Sequence, residues 1–242
     1  RGLRQALMWA IVPAKDMTGA KERLAPVLSV GERRELFRAM LGDVLRALSK
    51  TASLDGIAMI TRDSEAQALG RRFGAEIISE GENNGQTAAA AHGIAKLMAR
   101  GVAGIMQVPG DVPLATAAEF EIAIAAHLPA PAMTIVPARD EQGSNCVLCS
   151  PPDAVPLSFG DNSFFPHLDA ARRGGIAPVI QPLPGLGLDI DTPVDLAELL
   201  ARPADTLSHA YLAESGIAAR FEQNLDEAGM TAATAAAAAA SA

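Results

Sequence analysis

Leu186-Gly187-Leu188-Asp189-Ile190-Asp191-Thr192-Pro193-Val194-Asp195 joins an apolar run to a helix start, and the reading of this junction decides the fold. Leu188 to Asp191 close the apolar run and read as the end of a strand over 186–191. Side chains alternate faces along a strand, so Asp189 and Asp191 share one face while Ile190 turns into the core. Two carboxylates side by side repel each other unless a cation lies between them. Thr192 reads as a helix N-cap, Pro193 as the first helical residue, and Asp195 as the residue that completes a capping box. The carboxylates then stand at the C-terminal end of a strand, where open α/β sheets bind their ligands. The plainer alternative is that one aspartate caps the helix and the other is solvated.

Working outward from this junction, strand and helix signals alternate. Met8–Pro13 is an almost unbroken apolar run, as a strand buried on both faces requires. Further strands are expected over 56–61, 76–79, 104–109, 132–137, 147–150 and 178–182. Between them lie a helix capped by Ser29 with Glu32, another starting near Ser64, and one over about 87–100. A fourth runs from Thr116, boxed by Glu119, to 127, and a fifth follows the 159–163 loop to about 173. This alternation predicts an α/β fold, a three-layer, mostly parallel sheet. Pro178, Pro182 and Pro184 put the 178–182 piece at an edge. The main domain is expected over 1–200. A helical extension follows over 201–230, with Leu207, Tyr211, Leu212, Ile217 and Phe221 as its apolar positions. It would pack on the domain or on a second subunit, which leaves a homodimer open. The stretch 231–242 is nearly all alanine, which favours helix but offers little surface to bury.

The 242 residues are 49% hydrophobic, enough for a sizeable core, and carry a net charge of −8. No Lys/Arg block is present, which argues against a nucleic-acid surface. No apolar run approaches the roughly 20 residues of a membrane span. The run 7–14 is short and flows into Lys15, so it is not read as a signal peptide. Cys146 and Cys149 form a C-x-x-C without the further ligands of a structural zinc site. In extended chain they face opposite sides, too far apart for a disulfide. They read as free thiols in a reducing cytoplasm.

The chemistry is carried by short motifs. G-x-G-x-x-G after the first strand and G-x-x-x-x-G-K-[ST] are both missing, which disfavours a dinucleotide oxidoreductase and a P-loop NTPase. Instead Lys15, Lys21 and Arg23 put three cations into the loop leaving the first strand, a composition suited to a polyphosphate. Read on charge alone, a solvated loop fits these residues equally. Val108-Pro109-Gly110-Asp111-Val112-Pro113-Leu114 places a carboxylate between two prolines at the end of another strand, on the same sheet edge as Asp189 and Asp191. Three carboxylates facing a polyphosphate form an oxygen-rich site that suits Mg²⁺. The four histidines share no spacing, and His92 and His167 read as ordinary helix positions. Without G-x-S-x-G, Ser/His/Asp catalysis has no support.

In order, K-x(5)-K-x-R-L, V-P-G-D-V-P-L, G-S-N, F-G-x-x-S-F and L-D-I-D-T-P-x-D-L span about residues 10–200. Together they resemble the 2-phospholactate/phosphoenolpyruvate guanylyltransferases of deazaflavin coenzyme F420 biosynthesis. The resemblance implies a nucleotide-diphospho-sugar transferase-like fold. It also implies transfer of GMP from GTP to a phosphorylated carboxylic acid, with release of pyrophosphate. By the same resemblance Asp111, Asp189 and Asp191 hold Mg²⁺, and Lys15, Lys21 and Arg23 contact phosphates. Ser144, Gly160 and Ser163 would line the acceptor site, with Asn84 and Gly85 on the nucleotide side. Two positions depart from the family pattern. Ser144 stands where threonine is usual, and Asn84-Gly85-Gln86 stands where the family shows G-L-N. Two other readings are a different sugar-phosphate or molybdopterin-type nucleotidyltransferase, and a nucleotide-binding regulator without turnover.

Overall fold

Strand β1 (Met8–Pro13) lies inside the sheet, as its almost wholly apolar and buried sequence requires. In the computed structural model, which describes residues 7–14, 17–79, 85–160, 162–221 and 223, six more strands flank it. They are β2 (Gly56–Ile60), β3 (Glu76–Ile78), β4 (Gly104–Gln107), β5 (Ala132–Pro137), β6 (Ser144–Ser150) and β7 (Val179–Ile180). The order across the sheet is β3-β2-β1-β4-β6-β5-β7. All neighbours run parallel except β6, which is antiparallel to both β4 and β5. The expected mostly parallel α/β sheet is therefore what the chain forms.

The helices are α1 (Val30–Leu48), α2 (Ser64–Arg72), α3 (Gly85–Met98), α4 (Ala117–Ala125), α5 (Phe164–Arg173), α6 (Pro193–Leu200) and α7 (Leu207–Glu214). Their starts follow local chemistry. Ser29 with Glu32, Thr116 with Glu119 and Thr192 with Asp195 each close a full capping box, and Asp63 caps α2. Alternation along the strands divides the interior in two. Ala10, Val12, Met106 and Leu148 face the core built with α1, α4, α6 and α7. Ile11, Ile105, Val147 and Cys149 face the core built with α3 and α5. Cys146 and Cys149 thus lie on opposite faces as buried free thiols, and burial pushes the Cys149 thiol up to about 12. Among the described residues no helix is long and apolar enough to cross a membrane.

Helix α7 packs against α1 through a buried carboxylate. Asp43 accepts from the Leu207 and Ser208 backbone N–H groups at 2.7 and 2.9 Å and from Ser208 Oγ at 2.7 Å. A side chain of one helix thereby satisfies the orphan donors at the start of another.

One expectation is corrected. Residues 186–191 are not a strand of the sheet. Residues 184–187 form a turn and 188–191 have no regular structure and no ladder partner. Gly187 N–H bonds back to the Leu183 carbonyl at 2.7 Å, so the proline- and glycine-containing stretch coils where pairing would begin. The alternation survives: Leu188 and Ile190 are buried, while Asp189 and Asp191 are partly exposed.

From β3 the chain crosses back to lay β4 on the other side of β1. The carboxyl ends of β1 and β4 thus flank a topological switch point, the place where open α/β sheets leave a ligand crevice.

Candidate active site

A cavity of about 420 Å³ opens at this edge, walled by the loops after β4 and β5 and by 187–195. Its floor is set by three tethers. Val108 and Val112 are buried on either side of Gly110-Asp111 and hold that turn against the core. Ile190 N–H donates to the Asp111 carbonyl at 3.0 Å, which pins the two aspartate-bearing segments side by side. Arg139 N–H donates to the Gly187 carbonyl at 2.8 Å and fixes the second segment to the end of β5.

Asp111, Asp189 and Asp191 all line the cavity, as does Arg23. Lys21 projects its ammonium between two of the aspartates, 2.5 Å from Asp111 Oδ2 and 2.6 Å from Asp191 Oδ1. Its backbone is left-handed (φ 59°, ψ 45°), a conformation that costs a non-glycine residue of order 1 kcal/mol and is characteristic of functional sites. The following turn, Glu22–Leu24, buries Leu24 and presents Arg23 to the cavity. Burial would lower the Lys21 pKa, but the two carboxylates outweigh it and raise it. Burial alone would raise the Asp191 carboxyl. Lys21, by charge and hydrogen bond, and the Arg23 charge outweigh this and hold it below the usual range. Asp189 shifts the other way. Burial first, then the Asp111 charge, push it up to about 6, against a 3.0 Å hydrogen bond from Asn145 Nδ2.

The carboxylates bear on Mg²⁺ as follows. Among the described residues no three His, Cys, Asp or Glu side chains are grouped closely enough to hold a metal ion. Lys21 stands between Asp111 and Asp191, two of the three aspartates that the sequence reading gave to Mg²⁺. Asp111 Oδ1, however, is buried without a hydrogen-bond partner among the described residues. An unpaired buried carboxylate oxygen is costly, and a hard cation or a donor is what would satisfy it. The donor set therefore fits Mg²⁺, provided that the Lys21 ammonium shares or gives up its place.

The cavity also carries hydroxyls, those of Ser144 and Ser163. A β-bulge opposite Val136/Pro137 puts an extra residue into β6, pairing Pro137 with Ser144 and Val136 with Cys146. Bulges re-aim side chains, and this one lets Asn145 reach Asp189 while Ser144 turns towards α5. Ser144 Oγ lies 2.9 Å from His167 Nδ1 and 3.2 Å from Ser163 Oγ. Gly160 has φ 150°, a backbone open to glycine but strained for other residues, and also lines the cavity. Ser163 occupies the N-cap position of α5, yet its side chain bonds Ser144 instead of capping. The helix end is less open than its sequence suggests: Phe164 N–H already donates to the Gln142 carbonyl, and Pro166 has no N–H.

Of the other expected site residues, Gly85 is the first residue of α3. Two residues on, Thr87 Oγ1 accepts from Phe159 N–H at 3.0 Å and ties this helix start to the Gly160 loop. Lys15 and Asn84 lie outside the described residues. Three contributors were not picked out from sequence. Arg139 lies two residues past buried β5, lines the cavity and pairs with Glu198 at 2.8 Å; a cation just past a strand's end was its signal. Asn145 sits in the quoted G-S-N motif without a role. His167 follows Ser163 by one helical turn, the spacing that puts two side chains on one face.

The sequence matches the family described as "Guanylyl transferase CofC like" over residues 8–230. A phosphoenolpyruvate guanylyltransferase of Conexibacter woesei is 35% identical over 192 residues, covering 79% of this chain and 86% of that protein. A 2-phospho-L-lactate guanylyltransferase of Methanothermobacter thermautotrophicus is 33% identical over 206 residues, covering 84% and 88%. Among solved structures, a Desulfovibrio desulfuricans protein described as a nucleotide-diphospho-sugar transferase superposes with a TM-score of 0.71. It is 16% identical and covers 90% of this chain and 99% of its own, a likeness of fold alone.

Proposed function

Because the chain belongs to the CofC-like guanylyltransferase family, we propose that it transfers GMP from GTP to a small phosphorylated carboxylic acid. Phosphoenolpyruvate, 2-phospholactate and 3-phosphoglycerate are the candidate acceptors, and the step belongs to deazaflavin coenzyme F420 biosynthesis. The protein is a nucleotidyltransferase. The observation that carries the substrate assignment is a single cavity lined by Arg23, three aspartates and the Ser144–Ser163 pair, with Lys21 bridging two of those aspartates.

An acceptor phosphate oxygen attacks the α-phosphorus of GTP. The new P–O bond forms as the bond from the α-phosphorus to the bridging oxygen breaks, and pyrophosphate leaves with that electron pair. An ionised phosphate monoester has no proton to lose, so the reaction needs no general base. Catalysis then rests on alignment and charge neutralisation. Lys21 and Arg23 face the triphosphate and offset the charge that builds on departing pyrophosphate. Asp111, Asp189 and Asp191 would hold Mg²⁺, which when bound neutralises phosphate charge beside them. Ser144, Ser163 and the Gly160 backbone orient the acceptor acid.

The test is a panel of the three acids, each with GTP and Mg²⁺, read by pyrophosphate release and by the guanylylated product. At least one acid is expected to give both products in equal amounts. Pyrophosphate release with none of them contradicts the assignment.

A further inference from the structure

His167 is buried beneath the Ser144–Ser163 pair, and its two ring nitrogens have different partners. Ser158 N–H lies 2.9 Å from Nε2. A backbone N–H can only donate, so Nε2 carries the lone pair and a neutral ring carries its hydrogen on Nδ1. Burial holds the ring's pKa down to about 4, which keeps it neutral at physiological pH. Nδ1–H therefore donates to Ser144 Oγ across 2.9 Å.

The hydrogens can now be counted. The chain His167–Ser144–Ser163 has two internal links and three hydrogens, one on Nδ1 and one on each hydroxyl. His167 fills the first link and one hydroxyl fills the second. One hydroxyl hydrogen is left over, and both hydroxyls line the cavity. With the opposite tautomer, both hydroxyl hydrogens would be consumed inside the chain. The cavity would then meet only lone pairs, which repel an anion.

We propose that His167 is a positioning residue whose tautomer, set by Ser158 N–H, makes the Ser144–Ser163 pair a hydrogen-bond donor to the acceptor substrate. The cavity therefore offers this pair's free O–H to a carboxylate or phosphate oxygen, which can only accept. The proposal rests on the guanylyl-transfer reading, with these serines on the acceptor side.

Two measurements test it. The first is ¹⁵N NMR of the imidazoles in the unmodified protein, which needs no substrate and no variant that folds. It is expected to give a neutral His167 with the hydrogen on Nδ1; a hydrogen on Nε2 overturns the proposal. The second compares His167→Asn, which can keep a donor at the Nδ1 position, with His167→Asp, which puts an acceptor there. With GTP and the acid that turns over, His167→Asp should raise the acceptor KM about tenfold, the scale of one hydrogen bond to a charged group. The KM for GTP should stay put, and His167→Asn should remain within about threefold of the unmodified protein by the same yardstick. Equal acceptor KM in the two variants overturns the proposal. Absence of pyrophosphate release from the unmodified protein with every acid removes the guanylyl-transfer reading instead, whatever the tautomer.

Discussion

Lys21 concentrates the residue-scale argument, since it combines a left-handed backbone, a buried ammonium and two carboxylate partners. Its replacement by methionine would leave Asp111 and Asp191 facing each other without a cation. Breaking a fully buried pair costs about 3–5 kcal/mol, and the partial exposure of Asp191 brings the expected loss for Lys21→Met to about 1–3 kcal/mol. Urea denaturation would measure it, and added Mg²⁺ should restore part of the loss by supplying the missing charge. A stability unchanged by the substitution would show that the ammonium is not holding the carboxylates together. His167 gives the pH dependence. Its folded pKa, near 4, lies below the usual 6.5 of a free histidine, so the unfolded chain binds the extra proton first. Its contribution is fully present above about pH 6.5 and is lost as pH falls towards 4, by up to about 3 kcal/mol. Denaturation curves taken across that window should fall more steeply for the unmodified protein than for His167→Asn; parallel curves would contradict the burial of a neutral ring.

At the scale of elements, the segment 183–191 carries two of the three aspartates without belonging to the sheet. Gly185 is its close contact: a Cβ there would collide with the Leu114 carbonyl oxygen and with Glu119 Oε2, while Glu119 Oε1 accepts the Gly185 N–H at 2.7 Å. Gly185→Ala should therefore push the segment off the 114–119 turn. The expected outcome is a loss of about 1–3 kcal/mol, as for other overpacked sites, with a fall in turnover as Asp189 and Asp191 shift. Unchanged stability and turnover would mean that the segment tolerates displacement. This segment also marks the boundary of what the sequence made legible. Capping boxes at Ser29, Thr116 and Thr192 were readable because every partner lies within four residues. β1 was readable because burial on both faces leaves a continuous apolar run. The 186–191 stretch alternates like a strand because any extended segment laid on a core does so, whereas pairing depends on distant partners. The antiparallel direction of β6, its bulge and the Lys21 bridge are likewise set by residues far away in sequence, as is the Asp43 clasp between α1 and α7.

For the molecule as a whole, the switch point between β1 and β4 explains why residues from the 21–23 turn, the 110–111 turn, β6 and the 187–195 segment meet in one cavity. Residues about 170 positions apart, such as Lys21 and Asp191, become ion-pair partners because both chain segments pass the same edge of the sheet. Sequence reading gathered the three aspartates and the cationic loop at this edge from strand polarity alone. It did not foresee that a lysine would stand among the carboxylates, because the depth of a loop side chain is set by packing. The central claim is that these aspartates serve Mg²⁺-dependent transfer of GMP and are not merely partners of Lys21. The most direct measurement is the rate of pyrophosphate release from GTP and the accepted acid in Asp111→Asn, Asp189→Asn and Asp191→Asn, each checked for folding by its melting transition. Each folded variant should be slower by at least about a hundredfold, the cost of losing one preorganised electrostatic contact. Rates close to that of the unmodified protein in both Asp189→Asn and Asp191→Asn would contradict the account.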